Sequence, residues 1–287
     1  MLSNELTHHH VALNDTELHY VSAGSHGSPI LLVHGFPETS QAFHELMPLL
    51  AVSHRVFAVD LRGFGDSSHA DVDYSSASSA EDLHQLIGRL GLGPVHVTTQ
   101  DISGGATFRL AASHPEDLLS VTAVETGLAG FGFERLAGTW YIRVLITPGV
   151  PEMLLRGRER ALVDWVFDKM TSVRDAVSDE DRAEFARAYG VAGGWRGAAG
   201  LYASALAEGD ELRSLATASP IRVPVLAIGT SGGSFTADAF DQVSVAPVRR
   251  EVIEGVGHYV ALESPGRLAT AILSFLNSLT REGATGD

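Results

Sequence analysis

The stretch "VTTQDISGGATFRL", residues 97–110, joins two patterns whose junction decides the fold. Val97–Thr99 close the β-branched run "PVHVTT" (94–99), which reads as a buried strand. "SGGATFRLAASHP" (103–115) then shows the small-residue and apolar spacing of a helix. A strand that turns at once into a helix is the repeating unit of a parallel sheet. Asp101 and Ser103 stand in the turn, and either side chain is chemically able to attack as a nucleophile.

Outward from this junction the alternation continues. "ELHYVSAG" (17–24), "PILLVHG" (29–35) and "HRVFAVDLRG" (54–63) read as strands. "SSASSAEDLHQLIGRLGLG" (75–93) reads as a helix stopped by Gly91 and Gly93. Strand "LLSVTAVET" (118–126) follows, then strands "VPVLAIG" (223–229) and "RREVIEGVGH" (249–258). "GRLATAILSFLNSL" (266–279) has the pattern of an amphipathic helix. The fold class is therefore α/β, a mainly parallel sheet with helices on both faces. Residues 129–213 break the alternation and hold all three tryptophans. They read as an inserted helical cap, or lid, with Ser178 and Asp181 in a capping-box arrangement. The expected organisation is a core of residues 1–128 and 214–287 under a cap of 129–213.

With 287 residues and 45% apolar content, the chain is long enough for one large core with an insertion. A formal charge of −15 and the lack of a Lys/Arg-rich tract argue against nucleic acid and anionic membrane as partners. Without cysteine there are no disulfides or thiolate metal sites. The polar start "MLSNELTHHH" and the absence of a long apolar run lead us to expect a soluble, cytoplasmic protein. His8, His9 and His10 would alternate between faces of a strand, so they cannot easily converge on one ion. The other histidines also lack metal-ligand spacing, and neither metal nor cofactor is expected. The oligomeric state is left open, a homodimer included.

In a parallel sheet, sites lie at the carboxyl ends of strands. There the chain carries "HGFPE" (34–38), "DLRGFGDS" (60–67), "TQDISGG" (99–105), "ETG" (125–127) and "GVGHYV" (255–260). "DLRGFGDS" reads as a structural turn. Nucleophile, acid and histidine in this order on successive strand ends resemble the α/β-hydrolase fold. "QDISGGATFRLAASHPE" resembles the epoxide hydrolase branch, which is related to haloalkane and fluoroacetate dehalogenases.

The resemblance implies a tight nucleophile elbow with small residues two before, two after and three after the attacking residue. With Asp101 attacking, these are Thr99, Ser103 and Gly104. With Ser103 attacking, a carboxylate, Asp101, falls in the crowded slot, and the strand must run on through Gln100 and Asp101. Asp101 is the favoured nucleophile, and a Ser103-dependent esterase is the alternative. The resemblance further implies that two lid tyrosines hold the epoxide oxygen. Tyr141, seven residues before Pro148-Gly149, and Tyr202, ending "GWRGAAGLY", match those positions. His258 matches the family's terminal histidine. The usual triad acid would fall at Gly233, so the branch's second solution is assigned: Glu125, 24 residues after Asp101, with Asp238 as fallback. Backbone N–H groups of Phe36 and Ile102 are the expected oxyanion donors. Trp140, Trp195, Phe131 and Phe133 are candidate contacts to an apolar epoxide, of xenobiotic or secondary-metabolite origin.

Haloalkane dehalogenases place a Trp after the nucleophile and often an Asn after the His-Gly; here those positions are Ile102 and Phe36. Fluoroacetate dehalogenases place arginines at the start of the elbow helix, where this chain has Ile102 and Gly105, with Arg109 farther along. Both dehalogenase readings lose ground on these residues. A non-catalytic small-molecule receptor remains as a further alternative, with Gly233 the feature in its favour.

Overall fold

The computed structural model describes residues 5–230 and 234–284. Its strands are β1 (Thr7–Ala12), β2 (Glu17–Ala23), β3 (Pro29–Val33), β4 (Arg55–Val59), β5 (Val95–Gln100), β6 (Leu118–Val124), β7 (Val225–Gly229) and β8 (Arg249–Val252). They form one sheet in the order β1-β2-β4-β3-β5-β6-β7-β8. β1 pairs antiparallel with β2, and β2 antiparallel with β4; from β4 to β8 every pairing is parallel.

The period of two along β3 explains the layers. Ile30 and Leu32 point to one face, with Val56 and Ala58 of β4. Helices α1 (Leu46–Leu50) and α12 (Pro265–Ala284) cover that face through Met47, Leu50, Leu268 and Phe275. Leu31 and Val33 point to the other face. There α2 (Ser76–Arg89), α3 (Gly104–Ser113) and α10 (Phe235–Asp241) pack through Leu83, Leu86, Phe108 and Phe240. β3 is buried along its whole length, as a strand covered on both faces must be.

Between β6 and β7 lie α4 (Trp140–Ile146), α5 (Val150–Leu155), α6 (Glu159–Met170), α7 (Asp179–Tyr189), α8 (Arg196–Ala207) and α9 (Gly209–Ala218). The short α11 (Val260–Glu263) precedes α12. Ser178 caps α7, its Oγ accepting from Asp181 N at 3.0 Å. Arg109 of α3 reaches the inserted helices, donating to Glu208 at 3.0 Å and Glu211 at 2.7 Å.

Several boundaries differ from the sequence expectation. β5 includes Gln100, one residue beyond Thr99. The strand expected over 118–126 stops at Val124, because Glu125 turns out of the sheet at φ 43°. The strand expected over 249–258 covers only Arg249–Val252; Gly255, at φ 76°, belongs to the loop that follows. The three N-terminal histidines lie on an edge strand, with His9 stacked on Tyr20 and His8 stacked on His19. In "DLRGFGDS", Asp60 accepts from the Ser40 and Asp66 amides at 2.6 and 3.0 Å, so this segment is a buried turn. Among the described residues no helix is long and apolar enough to cross a membrane.

Candidate active site

The chain leaves β5 extended at Gln100 (φ −132°), enters the left-handed region at Asp101 (φ 54°), and is right-handed again by Ser103 (φ −79°). A left-handed non-glycine residue costs about 1–3 kcal/mol and persists only where its surroundings hold it. The Thr126 hydroxyl does so by donating to the Asp101 carbonyl. Close approach also demands glycine on both sides. A side chain on Gly35 would collide with Asp101 Cβ, and one on Gly104 with Thr126 Oγ1.

Ser103 has no exposed surface. Its Oγ donates to the Gln100 carbonyl at 2.7 Å, accepts from the Gln100 amide at 3.2 Å, and lies 2.7 Å from Thr99 Oγ1. It ties the turn together at the carboxyl end of β5. The Asp101 carboxylate instead faces outward. Oδ1 accepts from the Phe36 amide at 2.9 Å, and Oδ2 lies 2.9 Å from His258 Nε2. Ile102 follows, buried at the head of the helix.

On the imidazole's other side, Nδ1 lies 3.3 Å from Glu125 Oε2. Glu125 is itself left-handed, and its Oε1 accepts from the Thr230 amide at 2.7 Å. Burial works to lower the His258 pKa, but the two flanking carboxylates outweigh it and push it up to about 10. Asp238 stays on the surface, paired with Arg250 at 2.8 Å, so it is not the carboxylate at this imidazole. Gly233 lies outside the described residues.

Asp101, Glu125, His258, Tyr141, Tyr202 and Phe133 line one cavity of about 240 Å³ between the strand ends and the inserted helices. A larger, more open depression of about 340 Å³ beside β7 and β8 contains none of these groups. Tyr141 and Tyr202 sit with ring centroids 6.3 Å apart, and the Phe36 ring packs against both, at 5.8 and 5.6 Å. Burial, reinforced by the charge of Asp101, raises Tyr141 to about 12 and Tyr202 well above the usual phenol range. Both are therefore standing O–H donors.

The other three aromatics expected from the sequence to touch substrate, Trp140, Trp195 and Phe131, do not line this cavity. Trp140 is half exposed and packs edge-on against Trp165 at 5.0 Å. Trp195 is buried but stacks on Tyr189 at 4.5 Å, and Phe131 only packs against the core. Aromatic content alone does not say which face of an inserted helix meets the cavity.

Three supporting residues escaped the sequence reading. Glu38, the last letter of "HGFPE", is fully buried, accepting from the Gly35 amide at 3.2 Å and from Gln100 Nε2 at 3.1 Å. Burial, then the nearby Asp101 charge, pushes its carboxyl up to about 8. Tyr259 donates from its hydroxyl to the Phe36 carbonyl at 2.9 Å, fixing the loop that offers the Phe36 amide. Glu263 accepts from the amides of Gly257, Ser172 and Val173 at 2.7–2.8 Å and of Tyr259 at 3.2 Å. The signal lay in "GHYVALESP", where a glutamate in an otherwise apolar run is buried only if it has partners.

An acidic side chain on a strained strand-to-helix turn, backed by an imidazole and a second carboxylate, is the arrangement of a nucleophile elbow on a parallel sheet. The chain belongs to the α/β-hydrolase fold family, whose model matches residues 28–265. A soluble epoxide hydrolase from Corynebacterium sp. (strain C12) is 29% identical over 97% of this chain and 100% of its own length. A haloalkane dehalogenase from Mesorhizobium japonicum is 30% identical over 60% of this chain and 56% of its own. The solved structure of the epoxide hydrolase CorEH without ligand superposes with a TM-score of 0.87 at 28% identity, covering 96% of this chain and 100% of that one.

Proposed function

We propose that this chain is an epoxide hydrolase that opens a small apolar epoxide to a vicinal diol through a covalent ester on Asp101. Residues 129–213 act as the lid over the core. In the first step Asp101 Oδ attacks one ring carbon from behind. The C–O bond breaks, and its electron pair goes to the ring oxygen, which Tyr141 or Tyr202 protonates. In the second step His258 takes a proton from water as the water oxygen attacks the ester's carboxyl carbon. Glu125 holds the imidazole and stabilises its cation. The Phe36 and Ile102 amides face the oxyanion, and each such donor contributes about 3–4 kcal/mol. Collapse expels the diol, which leaves with the second water proton, and restores the Asp101 carboxylate with one oxygen from water; the phenolate left by the first step regains its proton from the His258 imidazolium before the water attacks.

The observation that carries this reading is the meeting of the Asp101–His258–Glu125 relay and the two buried phenols in one small cavity. Halide cradles of indole or guanidinium are not what lines it, and the buried Ser103 hydroxyl offers no support for serine esterase chemistry. The likeness to the Corynebacterium epoxide hydrolase, end to end, supports the same choice.

One turnover of styrene oxide by excess enzyme in heavy-oxygen water tests it. The label is expected in the Asp101 carboxylate, read by mass spectrometry of its peptide, with little in the first diol. Label confined to the diol means direct attack by water and overturns the proposal.

A further inference from the structure

Helix α2 and the short turn after α3 bring together four side chains that linear spacing hides, because each segment supplies only a pair. On α2, Glu81 and His84 are three residues apart and share a face. Beyond α3, His114 and Asp117 bracket one short turn. His84 Nδ1 lies 2.6 Å from Asp117 Oδ2. The His84 and His114 rings stack with centroids 3.7 Å apart and planes 11° from parallel. His114 Nε2 lies 3.5 Å from Glu81 Oε2. One ligand atom each from His84, His114 and Asp117 falls within 4.8 Å of the others.

We propose that this cluster is a structural site for a divalent transition metal of the zinc class, which staples α2 to the end of α3. Two stacked imidazoles with a carboxylate at each side bring two nitrogen donors and carboxylate oxygens into one small volume. Two imidazole nitrogens and carboxylate oxygens suit zinc, whereas calcium and magnesium take oxygen alone. Ligand atoms around a tetrahedral zinc lie about 3.3 Å apart, so the cluster must tighten and one ring must turn out of the stack. The side chains are free to do so, His84 being 35% and His114 24% exposed. Asp117 is already set by its amide, which donates to the His114 carbonyl at 3.0 Å. Glu81, 3.5 Å from His114 Nε2, stands beside these three as the proposed fourth ligand, and a set of four protein ligands makes the site structural rather than catalytic. No member of the cluster lines the active-site cavity.

The test is a zinc titration of the full chain after chelator treatment, followed by calorimetry. One equivalent is expected to bind, with the thermal midpoint rising with the logarithm of free zinc. His84→Ala and, separately, Asp117→Asn should weaken binding about 10–100-fold or more and remove the zinc-dependent shift. A triple His8→Ala/His9→Ala/His10→Ala variant should bind as the parent does. His114→Gln gives a second ligand deletion should His84→Ala fold poorly, judged by circular dichroism without metal. Cobalt in place of zinc should give tetrahedral d–d absorption in the parent and lose it in the ligand variants. No stoichiometric binding, binding unchanged by both histidine variants, or binding lost in the N-terminal triple would each overturn the site.

Discussion

His258 lies between two carboxylates, and in the proposed cycle that position gives it two working states. In the resting enzyme Asp101 and Glu125 overcome the cost of burial and hold the imidazole cationic up to about pH 10. In the proposed cycle, alkylation of Asp101 turns one of those charges into a neutral ester. Burial and Glu125 remain, so the imidazole pKa falls and the ring becomes a base when the ester needs hydrolysing. The alkylation rate, followed by stopped-flow tryptophan fluorescence, should therefore stay level from neutral pH until the region of pH 10. Ester hydrolysis needs the neutral ring, so its rate should instead fall on the acid side, as pH drops through the lowered His258 value. Identical limbs for both steps would rule out this charge switch. Replacing His258 by Gln should slow hydrolysis by about 10²–10⁴-fold while alkylation survives. In the proposed cycle the phenols serve the other half-reaction. Tyr141→Phe should slow alkylation by about 10²-fold, the low end for one lost donor because Tyr202 remains, and Tyr141→Phe/Tyr202→Phe should lose far more. Equal slowing of ester hydrolysis would place the phenols elsewhere in the cycle.

At the scale of elements, the histidine loop is held by α11 and not by the strand before it. β8 ends at Val252, and the chain reaches His258 through a loop whose amides Glu263 gathers. The same carboxylate binds Ser172 and Val173, just beyond α6, so it couples the loop to the inserted helices. Gly257 is required there, since a side chain would collide with the Met170 carbonyl. Glu263→Ala leaves buried amides without an acceptor, each costing about 1–3 kcal/mol. The variant should lose about 3 kcal/mol or more in urea unfolding, and kcat should fall more than KM rises. An unchanged unfolding midpoint would show that water replaces the carboxylate. The elements that could be read in the sequence were those whose pattern is local. Continuous apolar runs mark β3, β4 and β5, and small residues after Asp101 mark the elbow. β8 was overextended because "IEGVGH" keeps an apolar alternation after pairing has stopped. Trp140 and Trp195 were misplaced relative to the cavity because the facing of an inserted helix depends on contacts far along the chain. Glu38 and Glu263 were overlooked for the same reason, since their partners are remote amides.

For the whole molecule, the buried titratable groups set a stability maximum whose position follows from the sign of each shift. His258 is raised to about 10, and His19 is raised by Asp60 despite its burial. A raised histidine binds more protons folded than unfolded, so its contribution is complete below pH 6.5 and is lost as pH climbs through the folded value. Glu38, raised by burial to about 8, is neutral in the fold, and the fold loses stability as pH rises from 4.5 to that value. On the acid side the sign reverses. Burial lowers His96 to about 4 and lowers His34 and His54 as well. These rings are neutral in the fold, so stability falls as pH drops from 6.5 towards 4. The formal charge of −15 adds repulsion on the alkaline side. Thermal melts across this range should give a dome with its top near pH 6.5. His258→Gln should flatten the alkaline limb and leave the acid limb in place, Glu38→Gln should flatten the alkaline limb and steepen the rise between pH 4.5 and 6.5, and His96→Asn should flatten the acid limb alone. An alkaline limb that keeps its slope in both Gln variants would mean that the protons released there come from the general surface and not from the strained turn at Asp101.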